Sequence, residues 1–362
     1  MNGDGIEETL IKRRGFWRLA WERFSRDRIG MASLAVVLCF LIVVILALTG
    51  VIAANWNKEV GIPHAPPDFW GLASPEPPVA GITAVNPFLT DAAYPMDPVD
   101  WNTSVTDPLE ETLQKLRESL SITETGEARR DSLPLGGDRW GRDVLLKTVK
   151  GSQTSILVGL SAALLATLLG TLMGAPAGYF GGAADNALNW VYNVLNAIPY
   201  LLLILAVAAV LQQRGVPTIV LILGLTGWTG VFRLVRAEYI RHRSREYALA
   251  ARAFGAPSWR VMFLHILPNV SHILLVELSL LTVGFIKSEV ILSFLGFGVA
   301  VDEVSWGSIL NEAQSELILG RWWELAAATA AMALLVTAFS MLTDALRDAL
   351  DPKTPGSRGP SA

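Results

Sequence analysis

Few side chains in this 362-residue chain stand where they could do chemistry, and those few suit reversible hydrogen bonding better than bond breaking. Asn189, Asn193 and Asn196 recur at intervals of four and three within an apolar stretch, so on a helix their amides share one face. Each amide offers donors and an acceptor, which fits a hydrated path for a solute carrying peptide bonds; interhelical hydrogen bonding is the other use of such a stripe. Glu277 lies nine residues past Pro268 in another apolar run, with Lys287 and Glu289 further along. A charged side chain at mid-bilayer costs roughly 2.5–3.5 kcal/mol, so each of these must find water or a partner. Glu277 is the candidate for a path; a paired carboxyl at a subunit contact is the alternative.

Covalent chemistry finds little support. The four histidines, His64, His242, His265 and His272, are scattered and show no H-E-x-x-H spacing for zinc, so no metal is expected. Cys39 is the single cysteine, which excludes an internal disulfide. No G-x-S-x-G element exists, and no G-x-x-x-x-G-K-[ST] loop that could cradle ATP phosphates. A membrane-embedded enzyme using Glu277, Glu289 and a histidine in a dry pocket is the competing class, and a passive channel a third.

The elements that must hold these residues are membrane helices. Hydrophobic residues make up 52% of the chain and charged residues 17%, with a mean hydropathy of +0.42. A hydrocarbon core about 30 Å thick needs about 20 apolar residues per helix. Six runs meet that length, near Met31–Ala54, Ser155–Phe180, Ala187–Leu211, Pro217–Val235, Leu267–Phe294 and Leu325–Leu346. The first is too long for the apolar part of a cleavable signal, about 7 to 15 residues. The expected class is therefore an all-α polytopic membrane protein with six transmembrane helices and a long outer loop after the first.

Lys12, Arg13, Arg14, Arg18, Arg23, Arg26 and Arg28 precede the first run; Arg233, Arg236, Arg241, Arg243, Arg245, Arg252 and Arg260 surround the segment between the fourth and fifth. Basic flanks stay in the cytoplasm, which puts both termini inside. The division expected is a basic tail 1–30, a first span 31–54, an extracytoplasmic segment 55–150, a five-span core 151–346 with a cytoplasmic loop 236–266, and a tail 347–362. The net charge of -4 reflects acids in the outer segment and implies no nucleic-acid partner. That segment is rich in proline from Pro63 to Pro98, then offers a helix start at Asp107 and Pro108 with Leu109, Leu113, Leu116 and Leu120 on one face. The face suits an outside protein partner, or packing on its own loop.

The loop between the fourth and fifth runs contains EYALAARAFGAPSWRVMFLHILP, Glu246 to Pro268. Tyr247, Ala250, Ala251 and Phe254 fall at helical spacing, a small-residue and aromatic stripe that a cleft in another protein could receive. Gly255 ends that helix and Pro257 opens a second turn. With Leu267 and Pro268 at their spacing, these residues resemble the EAA loop of the permease subunits of bacterial ABC importers, in particular the dipeptide and oligopeptide family. Leu249 stands where many members have Glu, and His265 where they have Ile.

Other segments carry the same resemblance. Gly141, Arg142, Asp143, Val144 and Leu145 match the family's GRD segment, in which Asp143 would cap a short interfacial helix while Arg142, Lys147 and Lys150 reach headgroups. Trp228, Arg233, Leu234, Val235 and Arg236 match before the docking loop; Trp190 and Asn193 replace a charged pair common in the family. Gly296, Gly298 and Trp306 match the outer segment between the last two spans and form a candidate outer gate; Asp344 to Pro352 match the terminal RDALDP.

The resemblance implies a type I ABC importer permease in the bacterial inner membrane. Its partners would be a second permease, two ATP-binding subunits holding ATP and magnesium, and an extracytoplasmic substrate-binding protein. Glu246, Tyr247, Ala250, Ala251, Phe254, Gly255, Leu267 and Pro268 would contact the ATPase. Peptides are the expected cargo, with nickel chelates, opines, oligosaccharides and peptide-like antibiotics as alternatives. The chain itself would need no cofactor.

Overall fold

The computed structural model describes residues 16–70, 129–300 and 302–350. Among these the regular structure is helical, apart from isolated β-bridges. The chain divides into two compact units, Asn57–Asp143 and the remainder.

The larger unit opens with α1 (Phe16–Phe24) and α2 (Arg28–Leu48). Asp27 caps α2, its carboxylate accepting from Ile29 N. The 21 residues of α2 rise about 32 Å, the thickness of a hydrocarbon core. α3 (Val144–Phe180) runs 37 residues without a break, so the expected short interfacial helix is instead the first turns of the second span. The third run is two helices, α4 (Gly182–Asn196) and α5 (Tyr200–Leu211), set at 89°. Pro199 explains the break: it has no N–H to give, and its ring drives Ile198 away from helical geometry.

The fourth run is α6 (Val216–Gly227) and α7 (Thr229–His242), bent by 41° at Trp228. Next come α8 (Glu246–Ala253), the short α9 (Ser258–Arg260), a π-helical stretch Val261–Ile266, and α10 (Leu267–Phe294). The last three form one helical run from Ser258 to Phe294. α11 (Trp306–Ile318) and α12 (Trp323–Leu350) complete the unit. Among the described residues four helices are long and apolar enough to cross a membrane, or up to six spans if each bent pair is one.

α3 is the hub, packing against α6, α7 and α10, while α2 lies along α12. Gly170, Gly174 and Gly178 recur every four residues and let α3 lie directly on α7. A Cβ on Gly174 would stand 2.8 Å from Phe232 O and 3.0 Å from Val235 Cβ; one on Gly178 would stand 2.5 Å from Arg236 O. Gly174→Val must push the helices apart and is expected to destabilise the bundle by about 1–3 kcal/mol. Thermal unfolding of the purified variant checks this, and an unchanged midpoint would contradict it.

In the smaller unit, Gly141 O accepts from Val60 N and Gly61 N, and Asp138 Oδ1 accepts from Trp140 N and Arg142 N. Arg139 and Arg142 lie 3.7 and 4.3 Å from the Trp140 ring centre. Glu59 pairs with Arg129. The proline run from Pro75 to Pro98 and the helix expected from Asp107 to Leu120 lie outside the described residues.

Candidate coupling and translocation site

The small helix α8 is held by one face and offers the other. Glu246 in its first turn and Arg252 in its last complement the helix dipole. Ala248 is fully buried, and Ala251 packs with it against Tyr179, Val261 and Met262. Tyr247, Ala250 and Phe254 stay exposed, Phe254 by 91%. Of the expected stripe, then, Ala251 faces inward and three residues face outward. The Tyr247 hydroxyl sits 2.7 Å from His242 Nδ1, and its partial desolvation raises the phenol above its usual pKa.

Gly255 closes α8 with φ +79°; its N–H donates to Arg252 O and that of Ala256 to Ala251 O. A Cβ here would meet nothing within 4 Å, so the glycine answers a backbone requirement and not a lack of space. Pro257 then stands in extended conformation just before α9 instead of inside it.

Leu267 and Pro268 lie where the π-helical stretch passes into α10. Pro268 has no N–H for the carbonyl four residues back, so pairing shifts by one. Leu267 N donates to Met262 O, Tyr239 Oη donates to the same oxygen at 3.1 Å, and Asn269 Nδ2 donates to His265 O at 2.7 Å. The segment after α8 is thus fastened to α7 through a wide turn in which the Met262 and His265 carbonyls are satisfied.

On α4, Asn189 donates to the Asp185 carboxylate at 2.7 Å, whereas Asn193 and Asn196 are exposed. No residue of α4 is buried. Half-buried Glu277 on α10 faces α7, with Oε1 3.6 Å from where a Cβ on Gly230 would lie, and Arg233 acts on it electrostatically. Glu277 and the asparagines therefore stand on separate helices against a common neighbour, α7.

At the far end of α10, Gly296 takes φ +86° and a Cβ on Gly298 would overlap Ser293. Trp306 is fully buried and its indole donates to Thr148 O at 3.1 Å. Ser305 and Ser308 form a capping box at the start of α11. Glu289 lies wholly buried beside this turn, receiving hydroxyl donors from Ser155 at 2.7 Å and Ser293 at 2.6 Å. Ser155 also accepts from Trp306 N, joining α3, α10 and α11.

Lys147 reverses an expectation. It does not reach headgroups; it is 1% exposed and pairs at 2.6 Å with both Glu312 of α11 and Glu324 of α12. A second unforeseen contact is the fork in which Arg236 Nε and Nη2 donate to the two oxygens of Asp185, at 2.6 and 2.7 Å. These partners are far apart in sequence, so spacing held no signal for them. The glycine repeat on α3 was a legible signal, a small-residue periodicity of four.

Spans that pack around one glycine-rich hub, with an exposed helix between them, define a multi-pass membrane protein. The chain belongs to the family of binding-protein-dependent transport system inner membrane components, whose model matches residues 166–355, and this is a family of transport subunits, not enzymes. Residues 15–67 match the N-terminal transmembrane domain of oligopeptide transport permease C. The chain is 37% identical to the dipeptide transport system permease protein DppC of Bacillus subtilis over 61% of its own length and 71% of the relative's. It is 34% identical to the oligopeptide transport system permease protein OppC of that organism over 60% and 71%. Similarity to the OppC of Haemophilus influenzae, at 27% identity, extends over 97% of this chain and 93% of the relative.

Proposed function

We propose that the chain is one permease subunit of an ATP-driven, binding-protein-dependent importer of dipeptides or oligopeptides. The observation that carries the reading is similarity along nearly the whole chain to a permease named for oligopeptide transport. A second permease, two ATP-binding subunits with ATP and magnesium, and an extracytoplasmic binding protein complete the machine. Both termini face the cytoplasm of a bacterial inner membrane. The face of α8 bearing Tyr247, Ala250 and Phe254 sits in the ATPase, and Gly255 with the Leu267–Pro268 junction sets its angle. Closure of the ATPase dimer moves this foot and biases the bundle between inward and outward access. Asn189, Asn193, Asn196 and Glu277 contribute to the path; Gly296, Gly298 and Trp306 frame its outer gate.

Reconstitution of the complete complex in liposomes tests this. ATP-driven uptake of a defined peptide mixture, supported by the binding protein, is the expected outcome. Uptake that ignores ATP depletion would point to a passive channel. Uptake of a nickel chelate or oligosaccharide but no peptide would reassign the cargo while keeping the mechanism.

A further inference from the structure

Polar contacts, joined through the backbone of α3 and α7, lead from the foot α8 to the asparagine-bearing α4. Arg252 near the end of α8 donates to Tyr179 Oη at 3.0 Å, with its guanidinium 4.6 Å from the ring centre. Tyr179 lies in the last turn of α3, and its backbone carbonyl and that of Gly178 accept from Arg243, at 3.2 and 3.3 Å. Arg243 caps α7 seven residues after Arg236, two helical turns away and so on the same side. Arg236 grips Asp185 with both nitrogens of its fork, and Asp185 in turn accepts from Asn189.

What makes the last link special is the helix it holds. α4 buries no residue, and at 89° from α5 it is not aligned with the span that follows it. Half-buried Leu188, Tyr192 and Leu195 add apolar contacts, with Tyr192 5.9 Å from Phe232 ring to ring. A helix so lightly packed rotates more readily than the glycine-locked α3 and α7 beneath it, and a two-point fork passes on torque that a single contact would not.

We propose that the Arg236–Asp185 fork is the joint through which displacement of α8 turns α4 and reorients Asn189. Arg236 and Asp185 are positioning residues in this scheme, acting on the path through α4. The proposal rests on α8 being the ATPase contact.

The test uses the full transporter in nanodiscs with Cys39→Ser and a reporter thiol, Val191→Cys, on the exposed side of α4. With the native pair, the rate of maleimide labelling is expected to change about fivefold or more between the nucleotide-free and vanadate-trapped states, the lower end of ordinary coupling strengths. Asp185→Asn or Arg236→Gln should abolish that change while ATP hydrolysis and complex yield persist. The charge swap, Asp185→Arg with Arg236→Asp, should restore at least half of it. Three results would overturn the proposal: a native pair with no nucleotide-dependent labelling, single variants that keep it, or a loss that the swap does not recover. A complex whose unsubstituted form neither hydrolyses ATP nor drives uptake would instead remove the functional reading beneath it.

Discussion

Phe254→Ala is expected to abolish most ATP-driven uptake while leaving the chain as stable as before. The side chain is 91% exposed, so its removal forfeits almost no internal packing and should stay within about 0.5 kcal/mol for folding. A large aromatic ring fully presented to solvent beside a sharp glycine turn is instead suited to fill a pocket on another protein. Aromatic anchors of that kind are worth about 2 kcal/mol or more, which corresponds to roughly a thirtyfold weaker contact. Gly255→Leu should act in the same direction by another route. Nothing lies within 4 Å of its Cβ position, but φ of +79° is costly for a side chain by about 1–2 kcal/mol, so the turn would re-form at a new angle. The paired measurements are thermal unfolding of the chain and uptake per ATP hydrolysed. A loss of stability parallel to the loss of uptake would show Phe254 to be a packing residue.

Lys147→Met is expected to have the largest effect on stability. The ammonium is 1% exposed and pairs with Glu324, itself 3% exposed, and with the more open Glu312. Removing it takes the buried cation away from the carboxylates it holds, and breaking a buried pair in this way typically costs about 3–5 kcal/mol. Against a total stability of about 5–15 kcal/mol, the amount that accumulates in the membrane should fall severalfold. The control is to replace all three together, Lys147→Met with Glu312→Gln and Glu324→Leu. With these three charges removed together, that variant should recover much of the lost stability. A single Lys147→Met variant with wild-type yield and melting midpoint would show that the cluster does not hold α3, α11 and α12 together.

The sequence made the architecture readable wherever one periodicity acted alone. Apolar length located the membrane helices, and Gly255 with Pro257 located both ends of the turn after α8, since each follows from local backbone chemistry. The third run read as one span because whether a proline such as Pro199 bends a helix or breaks it depends on what else packs there, and α4 has little. The burial of Ala251 could not be separated from the exposure of Tyr247, Ala250 and Phe254, because which side of a short amphipathic helix meets its own protein is decided by tertiary packing, here on the π-helical stretch and on Tyr179, which is far away in sequence. Lys147 was misjudged for a similar reason. A lysine near the start of a span ordinarily snorkels, and only the return of the chain at Glu312 and Glu324 gives it a buried partner. The Arg236–Asp185 fork likewise joins residues that no spacing rule relates.

The most direct measurement places the foot. Cys39 is the single native cysteine, so a Cys39→Ser chain carrying Phe254→Cys has one thiol at the tip of α8. In inverted membrane vesicles holding the whole complex, an impermeant maleimide should label that thiol, and a short bifunctional reagent should join it to the ATP-binding subunit in proportion to nucleotide state. Labelling only from the outer face, or a thiol that reacts from inside but never crosslinks to the ATPase, would contradict the account.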